Sequence, residues 1–68
     1  MRYAVIFEKS DLSFGAYVPD LPGCVAVGDS LAEAKTLISE AMKKHLEGLK
    51  EEGHQPPEPA SVVAYIDA

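Results

Sequence analysis

Four acidic residues occupy positions from which a nuclease could bind metal ions. Glu8 ends the first predicted strand, Glu33 and Glu40 fall on the predicted helix, and Asp67 follows the last apolar segment. A two-metal site needs such hard oxygen ligands to converge within a few ångströms. Each acid also has a structural explanation, since Glu33 completes a helix cap, Glu40 lies on the solvated helix face and the others are ordinary strand-end charges.

The chain has one cysteine and two histidines as candidates for nucleophilic or metal chemistry. Cys24 would be a nucleophile if a base or a helix N-terminus lowered its pKa, but a small buried apolar residue is the simpler role. Cys24, His45 and His54 lack the close pairing of ligands that zinc sites show. His45 falls in an apolar helix stripe, which favours a packed, hydrogen-bonded histidine, whereas His54 is expected to be solvated. We therefore predict a protein that is not an enzyme and has no catalytic, metal-binding or cofactor-binding residues.

The composition predicts one small globular domain over residues 1–68, with 47% hydrophobic and 25% charged residues. The net charge of −5 argues against direct nucleic-acid binding and suits a basic partner. A single cysteine implies no disulfide and no oxidising compartment. The N-terminal apolar run is too short for a signal peptide and nothing is long enough to cross a membrane, so we expect a cytoplasmic protein.

Residue patterns predict four strands and one helix. Ser30 and Glu33 form a capping box, and apolar residues then recur at intervals of three and four. Gly53 followed by Pro56 predicts the helix end. The predicted strands cover residues 2–8, 14–18, 24–27 and 62–66, and the helix covers about 31–51.

The predicted fold is α+β with the order β-β-β-α-β. Short loops favour an antiparallel meander of three strands, and a return across the helix would place the last strand parallel to the first. Because both faces of the first strand are apolar, we expect it to lie inside a four-stranded mixed sheet with the order 3-2-1-4. One helix covers one face only, so the bare apolar face predicts self-association, as a dimer or tetramer, or a partner.

Two motifs, in the right order and spacing, carry a resemblance to a known family. The loop comprises Pro19, Asp20, Leu21, Pro22, Gly23 and Cys24, and the helix start Gly28-Asp29-Ser30-Leu31-Ala32-Glu33-Ala34 follows it. Together they resemble the HicB family of antitoxins. The resemblance implies a partial ribonuclease-H-like fold and a role in binding and masking small basic HicA toxins, which cleave messenger RNA with a catalytic histidine.

The resemblance leads to three functional hypotheses. The first is a non-enzymatic module that masks a HicA-like toxin; the second is a homo-oligomer with a structural or ligand-binding role and no toxin; the third is a metal-dependent nuclease. Longer family members carry a C-terminal DNA-binding segment, and we expect none here because the sequence ends at Ala68. Asp20 either accepts backbone N–H groups in an Asx-type turn or faces a partner.

Overall fold

The computed structural model describes all 68 residues as a three-stranded sheet packed against one long helix. The sheet is antiparallel with the order β1-β2-β3. Its strands and helix, in chain order, are β1 (Ile6–Lys9), β2 (Phe14–Tyr17), β3 (Val25–Gly28) and α1 (Leu31–Glu51).

One face of the sheet packs against α1. Phe7, Ala16 and Ala26 are aligned across the three strands, and all three belong to or contact the core around Ile38 of the helix. Alternation along a strand sends every second side chain to this face. The core is small, and its fully enclosed members are Ala16, Val18, Leu21, Cys24 and Ile38.

The ends of α1 are fixed by local hydrogen bonds. Ser30 Oγ accepts the backbone N–H of Glu33 at 3.1 Å, and Glu33 Oε1 accepts the N–H of Asp29 at 3.1 Å. At the other end, the N–H of His54 donates to the carbonyl of Leu49 at 2.8 Å and Gly53 has a φ of 79°. Because these bonds satisfy groups that a helix leaves open at its ends, the helix spans the range that the sequence predicts.

The predicted fourth strand and the 3-2-1-4 order are wrong. Residues 62–66 form no strand, and β1 lies at an edge of the sheet rather than inside it. The prolines at positions 56, 57 and 59 restrict the preceding backbone and remove N–H donors. Asp20 then holds Ala60 and Ser61, and a groove separates the following residues from the chain before β1. Apolar, β-branched composition gave residues 62–66 the character of a strand, but the structure pairs them with no strand of the sheet.

The segment after α1 makes the molecule elongated. The radius of gyration of the whole chain is 13.0 Å, and its extents are 41 × 27 × 15 Å. A compact chain of this length has a radius of gyration of about 11 Å. Val62, Tyr65 and Ile66 are all at least nine-tenths exposed. The helix and sheet therefore form the packed part, and the C-terminal residues extend from it.

Candidate partner-binding surface

The sheet face turned away from α1 is apolar and uncovered. It carries Ile6, Tyr17 and Val25 in one aligned row, and Glu8, Gly15 and Val27 in the next, so that Glu8 at the β1 edge is its one charged residue. Val25 and Val27 are 64% and 66% exposed, and Tyr17 is 39% exposed. We call these six residues the open face. One helix does leave a sheet face bare, but this face belongs to three strands rather than to the four that the sequence predicted.

Gly15 makes the open face shallow at its centre. It lies between Glu8 of β1 and Val27 of β3 in the strand register. A methyl group at this position would meet only the Glu8 carbonyl, at 3.9 Å. A partner side chain can therefore approach the backbone here while contacting the two exposed valines.

A second apolar surface is the segment Val62–Ile66, which we call the arm. Large apolar residues occur at both even and odd positions of the arm, a pattern that is typical of a strand covered on two sides. Val63 is 46% exposed and Tyr65 is 97% exposed. The arm therefore has the composition of a buried strand, but its large apolar side chains are exposed.

Two contacts anchor the chain just before the arm. The hydroxyl of Tyr3 donates to the carbonyl of Pro57 at 2.6 Å. The carboxylate of Asp20 accepts the backbone N–H groups of Ala60 and Ser61, each at 3.0 Å, and the Ser61 hydroxyl at 2.8 Å. Asp20 does accept backbone N–H groups, but the donors come from 40 and 41 residues away rather than from its own loop.

These hydrogen bonds also set the charge state of Asp20. The backbone bond from Ser61 contributes most, followed by the one from Ala60 and the Ser61 hydroxyl, and together they lower the pKa of Asp20 below its usual 3.8. Donors pointed at a carboxylate favour its ionised form. Asp20 is therefore a fixed negative charge that holds the start of the arm.

The loop that carries Asp20 is closed by backbone hydrogen bonds and by Leu21. The N–H of Cys24 donates to the Leu21 carbonyl at 3.0 Å, and Gly23 has a φ of 85°, which glycine adopts readily in a type II turn. Leu21 is completely buried, as its position between Pro19 and Pro22 predicts. The loop thus inserts one side chain into the core while its neighbour, Asp20, binds the two residues just before the arm.

The residues considered for catalysis do not assemble into a site. No three His, Cys, Asp or Glu side chains lie close enough together to hold a metal ion. Cys24 is buried, and this burial raises the pKa of its thiol, the opposite of what a nucleophile needs. His45 is half-buried on α1, and His54 lies 3.8 Å from Glu52 at the exposed helix end.

Sequence reasoning missed the anchors of the arm. The bond between Tyr3 and Pro57 joins residues 54 positions apart, and no spacing rule connects Asp20 with Ser61. Gly53 and Pro56 did predict where the helix ends, but the contacts that hold the following chain depend on the packed loop.

No helix of the chain is both long enough and apolar enough to cross a membrane.

Comparison with known proteins identifies relatives along almost the whole chain. A family model described as "HicB_like antitoxin of bacterial toxin-antitoxin system" matches residues 3–68. An uncharacterised 14.9 kDa protein of Haemophilus phage HP1 is 36% identical over 67 residues, which cover 98% of this chain and 50% of the phage protein. The chain therefore spans half the length of that relative.

Two shorter relatives and one solved structure extend this similarity. The UPF0150 protein Ta0767 of Thermoplasma acidophilum is 38% identical over 84% of both chains, and the UPF0150 protein ssr1765 of Synechocystis is 42% identical over 81% of this chain and 70% of its own. A solved structure described as "HicA3 and HicB3 toxin-antitoxin complex" matches with a TM-score of 0.73 and 32% identity, covering 88% of this chain and 70% of the matched chain.

Proposed function

The chain belongs to the HicB-like antitoxin family, and we propose that it acts as a non-enzymatic antitoxin domain that binds a small basic HicA-like toxin and masks its ribonuclease site. The observation that carries the proposal is the match of the antitoxin family to residues 3–68. The similarity to a chain from a HicA3–HicB3 complex supports the same kind of partner. The proposed action takes place in the cytoplasm, where a toxin of this kind would meet messenger RNA.

The open face is the proposed contact for the toxin. Val25 and Val27 present apolar surface that would otherwise stay in water, and Gly15 leaves room for a partner side chain between strands. Burial of such surface is the main favourable term in protein association. A hydrophobic patch of this kind, on a chain with few buried residues, is typical of an interaction surface.

The charge of the domain supports a basic partner. The chain carries −5 overall, and complementary charge accelerates encounter and disfavours acidic competitors. Because exposed charges are screened by salt, the rate of association is expected to fall as the ionic strength rises. A basic toxin fits both the charge and the apolar face.

Inhibition of RNA cleavage tests the proposal. A purified HicA-like toxin is incubated with RNA and increasing amounts of the domain, and we expect cleavage to stop near one domain per toxin. Undiminished cleavage at saturating domain, with the toxin shown to be active alone, would contradict the proposal.

A matched pair of substitutions tests the surface. Val27→Lys places a charge on the open face and is expected to weaken inhibition by about tenfold or more. Leu12→Lys makes the same kind of change at a residue that is 90% exposed in the β1–β2 loop, away from the open face, and should leave inhibition unchanged. Equal effects of the two substitutions would place the contact elsewhere.

The second candidate is a homo-oligomer with a structural or ligand-binding role and no toxin. Its specific support is the presence of two exposed apolar surfaces, the open face and the arm, on a chain that buries few side chains. Light scattering distinguishes a homo-oligomer from a monomer. A mass of 7.3 kDa at every concentration would exclude the homo-oligomer.

A further inference from the structure

The open face has a depression at Gly15, because glycine has no side chain and its neighbours there do. Gly15 lies in β2 between Glu8 of β1 and Val27 of β3 in the strand register, and Tyr17 lies two residues further along β2 on the same face. Neighbouring strands are about 4.8 Å apart, so the backbones at Glu8 and Val27 are about 10 Å from each other across the glycine. We call the space bounded by Glu8, Tyr17 and Val27 the socket.

The one charge at the socket is the carboxylate of Glu8. Glu8 is exposed and is the one charged residue of the open face. Lys9 follows it on β1, but alternation along the strand places Lys9 on the other side of the sheet. The one ion pair of the chain joins His54 to Glu52, so the Glu8 carboxylate has no cationic partner within the chain.

We propose that the socket binds one lysine or arginine side chain of the basic toxin, with its aliphatic stem over Gly15 and its cationic group against the Glu8 carboxylate. This inference rests on the proposed antitoxin function and names the side chain that the open face recognises. Lysine and arginine have an apolar stem and a charged head, which matches two apolar walls and one carboxylate. The ring of Tyr17, one of those walls, also attracts a cation.

The charge of Glu8 selects the kind of side chain that the socket accepts. An apolar side chain would cover the carboxylate and leave it with neither water nor a partner, which is costly. An acidic side chain would be repelled by Glu8 and by the net charge of −5. A cation forms a charge-assisted hydrogen bond with the carboxylate, and the bond gains strength when the docked toxin excludes water.

Glu8→Gln tests the charge, because it removes the negative charge and keeps the size of the side chain. The dissociation rate of the complex with a purified HicA-like toxin should rise about tenfold, since loss of an enclosed charge pair acts mainly on dissociation. Glu40→Gln is the matched control, because Glu40 is exposed on α1, which packs against the opposite sheet face. It changes the net charge equally and should alter the association rate alone, by less than about twofold.

Gly15→Ala tests the floor of the socket. The methyl group would meet only the backbone carbonyl of Glu8, at the ordinary contact distance of 3.9 Å, so the variant should fold. Because the methyl group occupies space that the bound stem needs, we expect the affinity for the toxin to fall about tenfold. Gly48→Ala, on α1 with no neighbour within 4 Å, is the control and should bind the toxin like the unchanged chain. Circular dichroism checks that each variant is folded.

A double-mutant cycle identifies the side chain that occupies the socket. Each exposed lysine and arginine of the toxin is replaced in turn by methionine, and the affinity is measured with the unchanged domain and with Glu8→Gln. We expect one replacement to weaken binding to the unchanged domain about tenfold and to have little further effect on binding to Glu8→Gln, because residues in contact are not additive.

The outcomes separate the socket from the antitoxin function. If the unchanged domain, Glu8→Gln and Gly15→Ala bind and inhibit the toxin equally, the socket is overturned and the antitoxin function stands. The socket is overturned in the same way if no basic residue of the toxin couples to Glu8. A domain that does not bind the toxin at all overturns the antitoxin function, and the socket with it.

Discussion

Leu21→Ala should remove much of the stability of the domain. Leu21 is the one large side chain that is completely buried, and the cluster around it has only five buried members. Truncating a buried leucine costs about 3–5 kcal/mol when the cavity cannot collapse. The unfolding free energy of a 68-residue domain is about 3–10 kcal/mol. The expected loss is therefore a large share of the total.

The loss can be measured as an unfolding free energy in urea by far-UV circular dichroism. The melting temperature should fall by about 15–30 °C, since each kcal/mol shifts a domain of this size by about 4–8 °C. Leu21→Ala, its control variant Leu12→Ala and the unchanged chain are compared at one low protein concentration, because self-association would add stability of its own.

Leu12→Ala is the matched control. Leu12 is 90% exposed, so the same substitution should change the unfolding free energy by less than about 0.5 kcal/mol. A loss below about 1 kcal/mol for Leu21→Ala, or equal losses for the two variants, would refute the conclusion that the loop residue Leu21 supports the core.

Two further predictions concern the helix start and the arm. Gly28→Ala should destabilise the domain by about 1–3 kcal/mol, because its methyl group would lie 2.7 Å from Ala34 N. Gly48→Ala should stabilise the helix by about 0.5–1 kcal/mol, because its methyl group would have no neighbour within 4 Å. Urea unfolding measures both changes, and they must have opposite signs. Because the folded pKa of Asp20 is lowered from 3.8, the anchor is at full strength above about pH 4 and is lost as the pH falls through the lowered value. The protection of the Ser61 amide, which is its exchange rate relative to that of an unstructured chain at the same pH, should fall over that acidic range in the unchanged chain and show no such step in Asp20→Ala; a step near neutral pH would contradict the assignment.

Local signals made the helix and three strands predictable. Ser30, Glu33 and Gly53 are start and stop residues whose bonding is complete within a few positions, so the bounds of α1 follow from the sequence. The short loops likewise allow only an antiparallel meander. The open face was predictable in outline because a single helix covers one sheet face.

The position of the C-terminal segment was not predictable in this way. Val62–Ile66 has strand-forming residues, but strand formation also requires a neighbour at hydrogen-bonding distance. The chain just before this segment is held by Asp20, whose contacts with Ala60 and Ser61 join parts of the chain 40 and 41 residues apart. The composition of Val62–Ile66 shows that the segment can be buried as a strand, but it does not determine where the rest of the chain holds that segment.

The Pro19–Cys24 loop connects the core with the arm through two adjacent residues that point in opposite directions. Leu21 is enclosed in the core, and Asp20 binds the backbone of Ala60 and Ser61. Because Leu21 fixes the loop, the carboxylate of Asp20 is held where both N–H groups can reach it. The loop motif therefore has a physical reason beyond turn formation, since it fixes the position of the two residues that precede the apolar arm.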